Sequence, residues 1–343
     1  MGSRDQQPAH GPALHLLATY PADGQGTDTA LDAGVACDTP TPDCAVPTDV
    51  EIELRFDRFL LPGSRLDGGL RLFTGDPKAN AVALSASYDL IERVVVLHPS
   101  APLQPNTLYT AEIAAAKDPS QGFWAFDRAP LEPGPVPLRF SFTTGSGPGT
   151  APAPSAPSSD DCTSIANGPM KVCSSSTCHT NPPVTPSAKA EEWIKEYPPM
   201  GLSLTNWGLE HTAKSHVAHE TETGNSAVDP ALESGARFGV QMNIVDPGFP
   251  ETSYLMYKLL RKPENYTGDC PPTAFHPPVS DGVCQAPSDA ELGQLREWFV
   301  LGDPMPKHNS FTDPDGGTPA VISRVDLVAI NNWIANLAPC TVP

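Results

Sequence analysis

The sequence predicts two unlike domains, an all-β sandwich followed by a mainly α-helical domain. Three observations lead to this prediction. Short runs rich in Val, Leu, Tyr and Thr alternate with Pro, Gly, Asp and Asn over residues 12–145, as in a chain of short strands. Residues 146–160 are rich in Pro, Ser and Gly and cannot bury a core, so they are expected to form a linker. Apolar residues at helical spacing fill residues 161–343.

The strands of the first domain are predicted from period-2 alternation and from the turn residues that bound each run. Six or seven short strands at this spacing favour a β-sandwich. The runs are Val50–Phe56, Leu70–Phe73, Val82–Tyr88, Arg93–His98, Thr107–Ala114 and Leu138–Thr143.

The helices of the second domain are predicted from capping residues and apolar stripes. Ser288 and Glu291 form a capping box before the stripe of Leu292, Leu295, Trp298 and Phe299. Further predicted starts are Ser323 with Asp326, and the segment Pro250–Ser253. Weaker candidates cover residues 188–197 and 207–220.

The charge is strongly negative, with 21 Lys and Arg against 40 Asp and Glu and a formal net charge of −19. A chain this acidic repels phosphate backbones, so the charge argues against nucleic acid as a partner. It favours a protein partner with a basic docking surface. The sequence contains no run of about 18 apolar residues, the length a transmembrane helix needs.

The compartment is inferred from the cysteines and from the start of the chain. Eight cysteines in a chain with 41 prolines point to an oxidising environment, although residues 1–15 lack the pattern of a signal peptide. The start resembles that of an exported protein whose leader has been removed. Gly2-Ser3 also resembles a bacterial lipoprotein just after its lipidated cysteine, which would imply a lipid anchor in the precursor. We expect a periplasmic or cell-surface protein.

The strongest chemical signal is the segment Cys173–His179, in which Cys178 and His179 follow Cys173 after four residues. Two thiols can add to the two vinyl groups of a haem, and the imidazole directly after them can bind the iron. The common spacing has two residues between the cysteines, and a loop of four still allows both thioether bonds. The motif therefore predicts one covalent haem c. The alternative is a small disulfide loop between Cys173 and Cys178.

The six remaining cysteines are assigned to disulfides by their proximity along the chain or at the two ends of the second domain. Six cysteines allow 15 pairings, so this assignment is a hypothesis. The proposed pairs are Cys37 with Cys44, Cys270 with Cys284, and Cys162 with Cys340.

The first domain resembles the bacterial Ig-like domain of the surface-layer type. The resemblance rests on Tyr20–Gly24, Leu54–Asp57, Leu97–Pro99, Leu103–Tyr109 and Phe140–Gly145, which occur in the expected order. It implies a spacer or interaction module.

The second domain resembles the monohaem cytochrome c domains of planctomycete and myxobacterial exported proteins. After the Cys-His motif come Gly201–Leu204, then Pro247–Leu255, then Met305-Pro306, and finally Asn332–Ile334 in the last helix. The resemblance covers residues 160–340 and implies a cytochrome c-like fold that transfers electrons.

The second axial iron ligand is expected to be Met305, because the ligand methionine of that family lies about one loop before the terminal helix. His276 is the rival, since its Pro-rich loop could align with the family's Met-Pro pair. If neither residue bound the iron, an open position would favour a haem enzyme such as a peroxidase.

Two further alternatives stay open. His211, His216 and His219 lie on a candidate helix and could bind zinc or copper, although a solvated polar face is the simpler interpretation. The whole protein could also be a disulfide-stabilised adhesion or binding protein without haem. The preferred prediction is an electron-transfer protein rather than an enzyme.

Overall fold

The computed structural model describes the chain in two units. The first unit contains residues 11–26, 45–114 and 120–149, and the second contains residues 165, 168–169, 245–260, 286–295 and 322–336.

The first unit is an all-β fold of two antiparallel four-stranded sheets. One sheet has the order β1-β2-β6-β5 and the other has the order β4-β3-β7-β8. The strands are β1 Leu16–Tyr20, β2 Ile52–Phe56, β3 Leu70–Phe73, β4 Ala81–Val82, β5 Leu84–Asp89, β6 Val94–Pro99, β7 Leu108–Ile113 and β8 Arg139–Thr143, with a 3₁₀ turn at Leu66–Gly68. The predicted all-β class of this region is confirmed.

The core follows the alternation of the strands. Ile52 and Leu54 of β2 lie opposite Leu97 and Val95 of β6, and all four side chains are fully buried. Aromatic side chains complete the packing. The Phe56 and Phe123 ring centroids are 5.1 Å apart in a tilted arrangement.

One predicted strand is in fact two strands in different sheets. The alternating pattern of Val82–Tyr88 predicts a single element, but Ala81–Val82 pairs with β3 whereas Leu84–Asp89 pairs with β6. The chain passes from one sheet to the other at Ala83, whose carbonyl accepts a hydrogen bond from Ser100 N. A crossing of this kind leaves the alternation intact, so the sequence pattern does not reveal it.

The predicted strand Arg93–His98 begins one residue later, at Val94. Asp89 Oδ1 accepts hydrogen bonds from the N–H groups of Ile91 and Glu92 and so turns the chain between β5 and β6. Arg93 ends this turn with a φ of 57°, in the left-handed region, which a strand residue does not adopt.

The two end motifs of the first domain pair with each other. Asp23 Oδ1 accepts from Ser141 N, and Gly24 N donates to the Ser141 carbonyl at 2.7 Å, so the Tyr20–Gly24 motif borders β8. Gly26 follows with a φ of 72°, and a Cβ there would lie 2.4 Å from the Thr143 carbonyl oxygen. This edge of the second sheet is therefore covered by the chain itself.

A second set of hydrogen bonds joins the Leu103–Tyr109 motif to the end of β8. The Tyr109 hydroxyl accepts a hydrogen bond from Gln104 N at 2.8 Å, an arrangement similar to the tyrosine corner of Ig sandwiches. Thr144 Oγ1 donates to the Gln104 carbonyl at 2.6 Å and accepts from Thr107 N at 3.0 Å. The order of the family motifs along the chain thus reflects contacts between them.

A buried ion pair fixes the loops at one end of the sandwich. Arg58 Nη2 lies 2.8 Å from Asp127 Oδ2, and the two side chains are 4% and 1% exposed. Asp127 also accepts from Gly11 N, and Arg58 donates to the Pro12 carbonyl. The pair therefore joins three segments that are far apart in the sequence.

Three helices of the second unit have described bounds. These are α1 Tyr254–Leu260, preceded by a 3₁₀ turn at Pro250–Thr252, α2 Asp289–Gln294 and α3 Arg324–Asn336. Both predicted caps are present. Ser288 Oγ accepts from Glu291 N at 3.1 Å, and Ser323 Oγ accepts from Asp326 N while the Asp326 carboxylate accepts from Ser323 N. Trp298, Phe299 and the weaker helix candidates lie outside the described residues.

We predict that Asp127→Ala destabilises the sandwich far more than Glu112→Ala. Removing Asp127 leaves the Arg58 charge buried, which costs about 3–5 kcal/mol. Glu112 pairs with Arg71 at the surface, and losing such a pair costs less than about 1 kcal/mol. Hydrogen exchange of β2 and β8 peptides in the full chain, measured at increasing urea concentrations, would report the free energy of unfolding of this unit. Equal losses in the two variants would contradict the prediction.

Candidate functional site

The predicted haem and disulfide residues all lie outside the described residues. The structure therefore does not test whether they come together. They are Cys173, Cys178, His179, Met305, His276, Cys37, Cys44, Cys162, Cys270, Cys284 and Cys340, together with His211, His216 and His219.

Two of the segments that carry the cytochrome resemblance are described, and they contact each other. Gly248, in the Pro247–Leu255 segment, donates its N–H to the Ile334 carbonyl of α3 at 2.9 Å. Its φ of 84° is readily adopted only by glycine. The loop before α1 thus supplies a donor to a carbonyl in the last turn of α3, where helix carbonyls lack partners of their own.

The same loop is ordered by side-chain hydrogen bonds. Thr252 Oγ1 donates to Asp246 Oδ2 at 2.5 Å, and Ser253 Oγ accepts from Asp246 N at 2.8 Å. Ser253, the serine of the family motif, is therefore fully buried and holds the loop together by its hydrogen bonds. Burial raises the pKa of the neighbouring Glu251 above its usual range, with a further contribution from the Asp246 charge.

Buried aromatic side chains fill the described core of this unit. Trp333 of α3 is 1% exposed, and Tyr257 of α1 is fully buried with its hydroxyl donating to the Glu251 carbonyl at 3.0 Å. Met256 is also fully buried, so it is a core residue of this unit.

The clearest polar constellation in the described residues lies on the first sheet of the sandwich. His98 Nε2 is 3.1 Å from Ser87 Oγ, and His98 Nδ1 is 2.9 Å from Glu51 Oε1. Ser87 lies on β5, His98 on β6, and Glu51 immediately before β2, so the line crosses three adjacent strands. We call these three residues the Ser-His-Glu relay.

The relay is open to solvent. The His98 and Glu51 side chains are 39% and 54% exposed, and Ser87 is exposed as well. The hydrogen bond that His98 donates to Glu51 raises the pKa of His98, and burial opposes part of this rise. When His98 is neutral, the carboxylate of Glu51 favours the proton on Nδ1, which leaves Nε2 as an acceptor for the Ser87 hydroxyl.

The same sheet face carries buried charge beside the β5–β6 turn. Arg55 of β2 pairs with Glu92 of the β5–β6 turn, and both side chains are nearly inaccessible. Burial lowers the pKa of Arg55, and the neighbouring Arg93 charge lowers it further. The Arg93 guanidinium lies 5.8 Å from the centroid of the Phe59 ring.

The part of the chain that the structure describes contains no candidate metal site. Within these ranges, no three or more His, Cys, Asp or Glu side chains converge as a metal site needs. The relay holds one imidazole and one carboxylate, so proton transfer, rather than metal ligation, is the chemistry its geometry allows.

The members of the relay are far apart in the sequence. His98 and Ser87 are 11 residues apart and His98 and Glu51 are 47 apart, so no local spacing joins them. The signal that could have found them is the pairing of two predicted strands, since Ser87 and His98 occupy outward positions of Val82–Tyr88 and Arg93–His98.

Comparison with known proteins agrees with the fold of the first unit. Residues 13–144 match the family model described as Bacterial Ig-like domain. The N-terminal region is a bacterial Ig-like domain. Such a domain indicates an exported or cell-surface protein. No comparison supports the cytochrome c resemblance of the second unit, and no curated protein matches the chain.

Solved structures with similarity to the chain include the surface layer protein SbsC. Domains 1–6 of SbsC align at 8% identity with a TM-score of 0.25, over 39% of this chain and 14% of that one. The copper resistance protein PcoC from Escherichia coli aligns at 18% identity with a TM-score of 0.20, over 29% of this chain and 85% of that one. The alignment thus spans about one seventh of the SbsC chain.

The described helices are all too short or too polar to cross a membrane.

We predict that Glu51→Gln lowers the pKa of His98 to its ordinary value of 6.5 or below, because the ion pair is lost while the partial burial remains. An NMR pH titration of the His98 ring in the full chain would measure this. The pair stabilises the fold most below that ordinary value, and its contribution disappears as pH rises through the folded pKa. Glu112→Gln, remote in sequence and on the other sheet, is the control and should leave the titration unchanged. A midpoint that does not move in Glu51→Gln would contradict the prediction.

Proposed function

We propose that this chain is an exported c-type cytochrome that carries one covalent haem and transfers electrons to or from a protein partner. The observation that carries the proposal is the order of two thiols and an imidazole in Cys173–His179. No other segment of the sequence combines a cysteine pair with a directly following histidine.

The donor set fits haem c in its chemistry. Cys173 and Cys178 supply two thiols for the two thioether bonds, and His179 supplies a nitrogen ligand for the iron. Met305 is the proposed second axial ligand and His276 is the alternative. The haem would supply one-electron chemistry, while the protein would hold it, shield it from water and set its potential.

The described helices support a domain that could hold such a group. The loop that begins at Pro247 is joined to α3 through Gly248 and Ile334, and Ser253 orders that loop from inside. Both segments belong to the pattern that resembles monohaem cytochromes. These two segments are far apart in the sequence but contact each other, and such a contact would constrain both of them together.

The Ig-like domain is proposed to act as a spacer or an interaction module for the haem domain. Its match to a bacterial Ig-like family supports this role. The Pro-rich sequence over residues 146–160 is proposed to be the linker between the two domains.

The proposed partner is a redox protein with a basic docking surface. A net charge of −19 attracts such a partner over distances of about a Debye length. We propose that the protein acts in the periplasm or on the cell surface.

A second candidate is a non-redox adhesion or binding protein stabilised by disulfides. The match of residues 13–144 to an Ig-like family favours it, because that domain alone would serve such a role. The two candidates differ in one measurable property, which is covalently bound haem.

We predict that the full chain, exported from a host with c-type haem maturation, contains one haem that remains attached after denaturation. The reduced protein should show the visible absorption bands of a low-spin c-type haem. Cys173→Ala and Cys178→Ala should each remove one thioether bond, whereas Cys37→Ala should leave haem content unchanged. Folded, colourless protein with a Cys173–Cys178 disulfide would overturn the cytochrome proposal in favour of the binding protein.

We predict that Met305→Ala changes both the visible spectrum and the reduction potential, because an axial thioether ligand is lost. Met200→Ala is the matched control and should change neither. His276→Ala should also be neutral if Met305 is the ligand. An unchanged potential in Met305→Ala, with a shift in His276→Ala, would assign the position to His276. If neither variant has an effect, the iron has an open position and the haem enzyme alternative gains support.

A further inference from the structure

The Ser-His-Glu relay has the connectivity of an activated nucleophile. A hydroxyl, an imidazole and a carboxylate are joined in series, with the two hydrogen bonds at 3.1 and 2.9 Å. Both distances lie within the range in which a base accepts a proton from a nucleophile and is itself oriented by a third group. We propose that Ser87 is a reactive nucleophile that takes up acyl and phosphonyl groups from donors with good leaving groups. This site is independent of the proposed haem.

Each member of the relay has a defined role in this step. Glu51 accepts the Nδ1 proton of His98 and so holds the ring in the tautomer whose Nε2 can accept a proton. As Ser87 Oγ bonds to the acyl carbon, its proton passes to His98 Nε2. The bond from that carbon to the leaving group then breaks, and the leaving group departs with the bonding electrons and takes up the proton. Water can later attack the acyl group by the same route and restore Ser87.

The exposed position of the relay determines the class of donor. The N–H groups that join β5 to β6 are used by the sheet ladder, so they do not provide an oxyanion hole. A donor with a good leaving group needs less stabilisation of the developing negative charge. We therefore expect activated esters and fluorophosphonates to react, and unactivated amides to remain intact.

The pH dependence follows from the groups that face His98 in the described residues. Glu51 faces it from the β2 side, and the neutral Ser85 and Ser87 face it from β5. Protonated His98 cannot accept a proton from Ser87. The reaction should therefore accelerate as pH rises through the pKa of His98, and Glu51→Gln should move the midpoint of this rise to lower pH.

Ser85 provides a matched control on the same strand and the same face. It lies opposite His98 in the strand register, but the Nε2 hydrogen bond goes to Ser87. A positioned general base contributes a factor of about 10²–10⁴. We expect Ser87 to be modified about 100-fold faster than Ser85.

The test treats the full chain with a fluorophosphonate probe and maps the adduct by mass spectrometry. The phosphorus–fluorine bond breaks, an Oγ–phosphorus bond forms, and fluoride is released. Ser87→Ala should abolish the adduct on this peptide, Ser85→Ala should leave it unchanged, and His98→Gln should slow it about 100-fold. Hydrogen exchange of β5 and β6 peptides would show that each variant is folded.

Two results would overturn the proposal. One is equal modification of Ser87 and Ser85 in the folded wild-type chain. The other is a folded His98→Gln variant that reacts as fast as the wild type. Either result would show that the relay is a cross-strand contact that stabilises the sheet without activating Ser87.

Discussion

The register of β6 between β2 and β5 is the constraint on which most of the sandwich depends. Val95 and Leu97 face the core, whereas Val94, Val96 and His98 lie on the opposite face of the same strand. A slip of one residue would exchange these two sets, because side chains alternate with a period of two. The same register therefore buries the apolar residues and sets the Ser-His-Glu relay in line.

Buried ion pairs hold the loops at the ends of the strands. Arg58 and Asp127 join the start of the described chain to two distant loops, and Arg55 with Glu92 joins β2 to the β5–β6 turn. Buried pairs add little net free energy compared with apolar residues, but losing one partner is costly. They act here mainly by excluding alternative loop positions, since a displaced loop would leave a buried charge without its counter-ion.

The sequence predicts the parts of the fold whose cause is local. The helix starts at Ser288 and Ser323 depend on hydrogen bonds three residues apart, and both are found as expected. The division of Val82–Tyr88 between two sheets is not predictable in this way, because it depends on which strand each half meets. Arg93 shows the same limit, since its positive φ follows from the turn that Asp89 creates.

The two chemical sites differ for the same reason. The relay depends on strand pairing between residues up to 47 positions apart, so it becomes visible only in the structure. The proposed haem ligands Cys173, Cys178 and His179 lie within seven consecutive residues, so a local pattern is enough to suggest them. Their second partner, Met305 or His276, is distant, and the sequence leaves that choice open.

The proposed haem would also contribute to the stability of the helical unit. The described parts of its helices bury Tyr257, Leu292 and Trp333, and isolated helices are marginal in water without such packing. Such helices need tertiary contacts to persist, and the hydrogen bond from Gly248 N to the Ile334 carbonyl is one of them. A covalent haem would add a large apolar surface against which the helices can pack. On this proposal, the cofactor would be part of the core as well as the redox group. The haem-free chain would then have a lower helical content than the haem-bound chain.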